Sequence, residues 1–227
     1  MNDDGSIIST LNYSTSQWSK AEVPSTVLGT LVSDNIYKDV YVGDNLNKIP
    51  TEQFQKPWWY RTEFSLLHNR NDKYVKLEFE GINYRATIWL NGKRIAISDS
   101  IYGSFRMFTI DVSKIINRNG KNVLAVEVFP PKAGEPSISF ADWNPVPPDN
   151  NMRIFRPIKL KFRSDVAINY PFVKSKIDLK TLKSAALSVF AELVNNSKNK
   201  ISGILIGEIG NIKFSKKNSS AVGKKFS

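Results

Sequence analysis

The sequence contains no cysteine and only one histidine, His68. Without cysteine the chain can form no disulfide framework, and it has no thiolate to bind a metal ion or attack a substrate. His68 lies in the polar segment LLHNRNDK between two strand-like runs, and we interpret it as a solvated loop residue. No cluster of metal-ligand residues is visible in the rest of the sequence. We therefore expect neither an obligatory metal ion nor a cofactor.

Long apolar runs are also missing. No run approaches the roughly 20 residues that a membrane-spanning helix needs. The chain begins MNDDGSIIST, which is acidic and lacks the apolar region of a signal peptide. We expect no membrane partner and no signal peptide in this sequence. The compartment stays unknown, and a periplasmic or secreted location is compatible with a leader that has been removed.

Acidic residues are scarce in one region only. Residues 1–165 hold 21 basic and 18 acidic residues, whereas residues 166–227 hold 11 and 3, so +8 of the net charge of +11 lies in the second region. Such a surface can bind polyanions without specificity. However, its lysines show no arginine cluster, helix-turn-helix pattern or aromatic ladder. We interpret it as a solvated lysine-rich face and expect no nucleic-acid partner.

Amphipathic helical patterns with caps are almost absent, which excludes a doubly wound or (β/α)8 fold for this chain. Strand periodicity is present instead. Apolar and charged residues alternate over KYVKLEFEG (73–81), which predicts one buried and one wet face. Asn91-Gly92 supplies the two positive-φ residues of a type I′ turn and predicts a hairpin over 84–98. Further strands are predicted at WWYRTEFSL (58–66), FRMFTIDVS (105–113), NVLAVEVF (122–129) and IFRPIKLKF (154–162).

Short strands with turn signals between them are typical of an antiparallel sandwich or jelly roll. Beyond Ser164-Asp165 the pattern changes, and ALSVFAELVN (186–195) and ISGILIGEI (201–209) predict a hairpin joined by the polar turn NSKNK. We interpret residues 166–227 as the start of an immunoglobulin-like β-sandwich, a domain that usually needs about 100 residues and seven strands. We therefore expect the chain itself to be all-β and to be a fragment of a longer protein.

One long connection, residues 130–153, holds six of the eleven prolines. A connection this long is usually functional or disordered, and its prolines favour a stiff loop. It carries Asp142-Trp143-Asn144. A carboxylate can accept hydrogen bonds from sugar hydroxyls, and an indole can pack on the C–H face of a pyranose. The alternative is that Trp143 anchors the loop to its own sandwich while Asp142 caps a turn.

Several segments resemble, in order, the N-terminal part of glycoside hydrolase family 2. They are VPSTVLGTLVSDNIYKDVYVGDNL (23–46), WWYRTEF (58–64), FEGINYRATIWLNGK (79–93), FTIDVS (108–113), NVLAVEV (122–128) and DWNPVPPDNNMRIFRPIKL (142–160). The resemblance covers about residues 20–165 and is to the branch of β-mannosidases, exo-β-glucosaminidases and β-galactosidase-like enzymes. It implies a galactose-binding-domain-like jelly roll over 1–165, followed by the immunoglobulin-like domain over 166–227.

The resemblance also implies a (β/α)8 barrel that would carry an acid/base glutamate and a nucleophilic glutamate. Retaining hydrolysis needs those two carboxyl groups about 5 Å apart. None of the nine glutamates in this sequence is a credible candidate, because they lie in strands, in loops or in the second region. We predict that this chain contains no catalytic residue and is inactive alone. Its expected partners are a β-linked sugar and its own missing barrel domain.

Carried over by position, Asp142 would face the substrate while Trp143 and Asn144 shape the wall beside it. Asp44 and Asn45 in YVGDNL form a secondary candidate pair, although such residues more often make a turn.

The segment after this loop departs from the family's pattern. Arg156 in IFRP matches an arginine of that pattern, which we interpret as one partner of a structural ion pair. Arg153 stands where the family has glycine, and Phe155 where it often has tryptophan. If the glycine is needed for positive φ, the backbone here differs.

Three hypotheses follow. The leading one is the non-catalytic N-terminal portion of a retaining β-glycosidase that lends a loop to the active site. The alternative is a free-standing carbohydrate-binding jelly roll, and the third is a polyanion-binding protein that uses the basic region.

Overall fold

The structure is a computed structural model, and it describes residues 4–66, 73–137 and 145–220. The chain forms two compact units. The first ends at Lys161 and the second begins at Phe162, with Lys73 and Tyr74 also belonging to the second. Each unit is described by itself.

The first unit is a β-sandwich with two short helices. Its elements are α1 (Gly5–Ile8), β1 (Ser25–Thr26), α2 (Val27–Ser33), 3₁₀ helices at Leu46–Lys48 and Glu52–Gln55, β2 (Trp58–Ser65), β3 (Tyr74–Phe79), β4 (Ile82–Asn83), β5 (Arg85–Leu90), β6 (Lys93–Ala96), β7 (Phe108–Asp111), β8 (Lys121–Phe129), β9 (Arg153–Ile154) and β10 (Ile158–Arg163). The sheet orders are β2-β8-β5-β6, β10-β3-β7 and β1-β9-β4. The all-β prediction is confirmed.

Two local predictions hold in detail. Along β3 the side chains of Val75, Leu77 and Phe79 are buried and their neighbours are partly exposed, as the alternation predicts. Asn91 and Gly92 have φ values of 52° and 78°, so β5 and β6 join through the predicted type I′ turn. The Oδ1 atom of Asn91 also accepts the amide of Val123 at 2.8 Å, which ties this turn to β8.

The core is centred on β8, which pairs with β2 on one side and with β5 on the other. Because both faces of β8 are covered, its run from Val123 to Val126 is buried without alternation. Each fully buried aliphatic side chain of this kind stabilises the fold by about 1.5–3 kcal/mol.

Both helices are capped, although the sequence shows no amphipathic helical run with caps. The side chain of Thr26 accepts the amide of Gly29 at 2.8 Å and begins α2, and Asp4 accepts the amide of Ser6 at 2.8 Å and begins α1. Their lengths of seven and four residues are too short to give an amphipathic pattern in the sequence.

Two strand predictions need correction. The strand predicted over 105–113 is limited to β7, from Phe108 to Asp111. The strand predicted over 154–162 is two strands, because β9 pairs with β1 and β4 whereas β10 joins the sheet of β3. Pro157 lies between them, and its missing N–H and fixed φ explain the break.

The second unit has four long strands, β11 (Val166–Ile177), β12 (Ala185–Asn195), β13 (Ile201–Ile209) and β14 (Ile212–Ser220). They form two antiparallel pairs, β11 with β12 and β13 with β14. The predicted hairpin between residues 186–195 and 201–209 is therefore wrong. The turn between β12 and β13 is held by the buried Asn195, which accepts the amide of Ser197 at 2.9 Å and donates to the carbonyl of Asn199 at 2.8 Å.

Candidate functional site

Asp142, Trp143 and Asn144 lie outside the described residues, so their assignment as sugar-contacting residues stays a prediction. The structure describes both ends of the loop that carries them, residues 130–137 and 145–152. These ends determine where the loop leaves the jelly roll and where it returns.

The outgoing end is held by an ion pair. Arg85, on β5, donates from Nε to Oε1 of Glu135 at 2.7 Å, and its Nη2 contacts the same oxygen. The other carboxylate oxygen of Glu135 accepts the amide of Lys132 at 2.8 Å. The Arg85 guanidinium also lies 5.4 Å and 5.3 Å from the ring centroids of Tyr84 and Tyr102. A planar guanidinium with a carboxylate on its edge and rings beside it is fixed in orientation.

The returning end is held by Asp149, whose side chain is almost fully buried. Its Oδ2 atom accepts the amide of Leu28 at 2.8 Å, at the start of α2, and its Oδ1 atom accepts the amide of Asn151 at 2.9 Å. Asn150 and Asn151 have φ values of 48° and 54°. Asparagine is among the few residues that adopt this left-handed conformation readily, which explains the DNN sequence at the turn.

Asn83 connects the same turn to a second loop. Its Nδ2 atom donates to the carbonyl of Asn151 at 2.8 Å, and its Oδ1 atom accepts the hydroxyl of Ser104 at 2.6 Å. Both Asn83 and Ser104 are buried. A buried side-chain amide whose donor and acceptor are both hydrogen-bonded resists displacement. The returning end of the loop is therefore held rigidly.

Three titratable side chains, Asp149, Arg153 and Tyr60, interact at the returning end of the loop. Burial raises the pKa of Asp149, although the amides of Leu28 and Asn151 act in the opposite direction. Burial also lowers the pKa of Arg153 and raises that of Tyr60. Among the described residues, the Tyr60 hydroxyl and the Nε atom of Arg153 are buried without a hydrogen-bond partner. This cluster gave no signal in the sequence, because Tyr60 lies far along the chain from Asp149 and Arg153.

The departures from the family's pattern are accommodated without positive φ at Arg153. Arg153 pairs in extended conformation with Thr26 of β1 and Asn83 of β4. The ring of Phe155 packs on Gly81, where an added Cβ would stand 2.6 Å from the ring. The expected structural ion pair of Arg156 is not found within the described part of the chain. Its guanidinium instead lies 5.7 Å from the Phe155 ring centroid.

The secondary candidates, Asp44 and Asn45, make local contacts. Asp44 accepts the side-chain amide of Asn47 at 2.6 Å, and Asn45 donates to the carbonyl of Asp39 at 3.1 Å. These bonds stabilise the turn before the first 3₁₀ helix and favour the turn interpretation. His68 lies outside the described residues.

Five of the nine glutamates form ion pairs. These pairs are Glu63 with Arg61 and Lys121, Glu78 with Lys161, Glu80 with Lys159, Glu135 with Arg85 and Glu208 with Lys213. In the described ranges, no group of three or more His, Asp or Glu side chains could hold a metal ion. No helix within them is long and apolar enough to cross a membrane.

Comparison with known proteins identifies the family. Residues 9–165 match the model of the glycosyl hydrolase 2 galactose-binding domain-like family. The chain belongs to glycoside hydrolase family 2. This match covers more than half of the chain and confirms the family predicted from the ordered motifs.

The relatives of this family 2 chain include exo-β-D-glucosaminidases. It is 32% identical over 213 residues to the enzyme of Streptomyces avermitilis, covering 93% of this chain and 23% of that protein. It is 30% identical over 207 residues to the Amycolatopsis orientalis enzyme, covering 91% and 20%. The solved structure of the A. orientalis exo-chitosanase CsxA superposes with a TM-score of 0.90 at 28% identity, covering 99% of this chain and 26% of that one. The chain thus spans about a quarter or less of the length of these relatives.

Proposed function

We propose that this chain is the non-catalytic N-terminal portion of a retaining β-glycosidase. Residues 1–165 would form its jelly roll and residues 166–227 the first part of an immunoglobulin-like domain, both supporting a (β/α)8 barrel that follows. One observation carries the proposal: the chain aligns with an exo-β-D-glucosaminidase over 93% of its own length while spanning 23% of that enzyme. The relatives that share this N-terminal region are glycosidases by name.

We propose a terminal β-D-glucosaminide as the substrate of the parent protein. Two relatives that align over more than nine-tenths of this chain are both exo-β-D-glucosaminidases. A weaker likeness to a mannosylglycoprotein endo-β-mannosidase of Lilium longiflorum covers 50% of the chain at 36% identity. β-Mannosides are therefore the substrates whose hydrolysis should be compared with that of β-D-glucosaminides.

The loop that carries Asp142, Trp143 and Asn144 would contribute one wall of the active site. Its anchors support this role. Glu135 on one side and Asp149 on the other are bound to β5 and to the start of α2. A loop held at both ends can present a side chain across a domain boundary with little loss of conformational freedom.

The experiment is kinetic and uses the full-length parent protein. Asp142→Ala should lower kcat/KM for an aryl β-D-glucosaminide about 10- to 100-fold, because a hydrogen bond to a charged group contributes about 1.5–3 kcal/mol. The melting temperature should stay unchanged, and Asp44→Ala serves as the matched control. A lower melting temperature with normal turnover per folded molecule would show that Asp142 only caps a turn.

The alternative, a free-standing carbohydrate-binding module, is tested with the same full-length protein. If the full-length product hydrolyses neither β-D-glucosaminides nor β-mannosides, the glycosidase proposal fails. A gene product that ends with this jelly roll and binds oligosaccharides would establish the alternative.

A further inference from the structure

Two adjoining cavities open beside β2 in the first unit. Their volumes are about 590 Å³ and about 540 Å³. They share five lining residues, which come from the irregular segment before β1 and from β2: Trp18, Ser19, Ala21, Trp59 and Tyr60. β2 is one of the two edge strands of its sheet, so the cavities lie beside a sheet edge.

The smaller cavity is lined by three of the chain's five tryptophans, Trp18, Trp58 and Trp59. All three side chains are half-buried. In contrast, the largest fully buried side chains of the described residues are phenylalanine, aliphatic residues and methionine. Among the described residues, no tryptophan belongs to the fully buried core, and these three indoles surround one opening.

Two of these rings are held in place before any ligand arrives. Trp58 donates from Nε1 to the carbonyl of Gln53 at 3.0 Å and stacks on Phe54, with ring centroids 6.1 Å apart and an interplanar angle of 22°. Trp18 meets the ring of Tyr13 edge-on at 6.0 Å. Rings fixed in this way lose little freedom when a ligand binds.

The rim of this cavity is polar. Gln17, Ser19, Gln53 and Lys56 line it beside the indoles, and Gln17 and Lys56 are exposed. Among the described residues that line the cavity, none is an aspartate or glutamate. An aromatic wall with a few amide, hydroxyl and ammonium groups at its mouth matches a pyranose, which has an apolar C–H face and a belt of hydroxyls.

We propose that this cavity is a binding site for an uncharged oligosaccharide. The indoles would pack on pyranose rings, and Gln17 and Lys56 would bond their hydroxyl or acetamide groups. Lys56 and the lack of lining carboxylates disfavour a sugar that carries a protonated amine, because like charges repel and no counter-charge is present. This site uses residues other than those of the active-site loop, so it does not depend on the proposed glycosidase function.

Calorimetric titration of the 227-residue chain at pH 5 tests the site. Two probes, N,N′-diacetylchitobiose and mannobiose, are uncharged. The third, chitobiose, has free amines that are protonated at that pH. We expect Kd values of about 1 mM for one or both uncharged disaccharides. Chitobiose should bind at least about fivefold more weakly.

Trp18→Ala should weaken binding of the uncharged disaccharide about tenfold by removing one ring contact. Tyr41→Ala is the matched control, because Tyr41 is 93% exposed in the same unit and does not line the cavity. It should bind like the unchanged chain. If Trp18→Ala does not fold, the exposed pair Gln17→Ala and Lys56→Ala should weaken binding about threefold.

Three results would overturn the proposal. One is no heat with either uncharged disaccharide up to about 20 mM, a limit well above the expected Kd. Another is chitobiose binding more tightly than its acetylated form. The third is an apolar dye that binds the cavity and is not displaced by any disaccharide, which would make it an apolar docking surface.

Discussion

The carboxylate of Asp149 accepts the backbone amide of Leu28 at 2.8 Å, although 121 positions separate them in the chain. The same carboxylate accepts the amide of Asn151 at 2.9 Å. One buried side chain therefore binds an amide in the first turn of α2, closes the asparagine turn and holds the returning end of the loop that carries Asp142. Its removal should affect both stability and the position of that loop.

Asp149→Ala should lower the free energy of unfolding by about 2–4 kcal/mol, because it leaves two amides without their acceptor in a buried site. Chemical denaturation of the 227-residue chain measures this. Asp44→Ala is the control, since Asp44 is exposed and accepts one side-chain amide, and it should change stability by less than about 0.5 kcal/mol. Equal effects of the two variants would contradict the role of Asp149.

Asp149→Asn should reveal whether the contribution of Asp149 to stability falls or grows as pH rises. Burial raises the pKa of this carboxyl in the folded chain, so its contribution to stability is full below the unfolded pKa and falls as pH rises through the folded pKa. The stability of the unchanged chain minus that of the variant should therefore decrease as pH rises above the ordinary aspartate pKa of about 3.9. A difference that grows with pH would show that the amides of Leu28 and Asn151 outweigh burial.

Gly81→Ala should destabilise the first unit by about 1–2 kcal/mol through overpacking. The added Cβ would stand 2.6 Å from the Phe155 ring, which also contacts Phe105 edge-on at 6.1 Å. In a Phe155→Leu background the same substitution should cost less, and a double-mutant cycle of denaturation measurements gives the coupling. Additive effects would mean that the ring moves freely.

Amides of the second unit should exchange with deuterium faster than those of β8. β8 is hydrogen-bonded on both sides, whereas the strands of the second unit form two separate pairs. Phe172 and Phe190 contact each other across β11 and β12 and are still 59% and 53% exposed. Strands that bury few apolar side chains open readily. Equal protection in both units would contradict this expectation.

The 227-residue chain alone should not hydrolyse aryl β-glycosides. Retaining hydrolysis needs two carboxyl groups about 5 Å apart, and in the proposed parent the barrel that carries them follows this chain. An assay against a buffer blank, with the full-length parent as positive control, decides this. Turnover above the blank would place catalytic residues within the chain.

The sequence was most informative where structure is local. The Asn91-Gly92 turn and the alternation in β3 depend only on neighbouring residues, and both predictions were confirmed. The pairing of β12 was mispredicted, because a five-residue polar turn suits either a hairpin or a connection between two strand pairs. The pairing of β12 with β11 and of β13 with β14 distinguishes these cases, and it depends on contacts outside the turn.

The parts of the candidate site that sequence reasoning missed are non-local. The sequence DNN at 149–151 indicates a turn, but no residue near Asp149 indicates Leu28 as its hydrogen-bond partner. The Arg85–Glu135 pair joins residues 50 positions apart. The tryptophans around the cavity are adjacent in sequence only at Trp58-Trp59, and Trp18 joins them through tertiary structure.

The sheet β1-β9-β4 also constrains how the chain can fold during synthesis. Thr26 and Asn83 both pair with Arg153, so neither short strand has a partner until the ribosome has translated past that position. Contacts of such large sequence separation form slowly. β5 and β6 can pair much earlier, whereas the sheet that holds the returning end of the loop carrying Asp142 can form only after β9 emerges and pairs between β1 and β4.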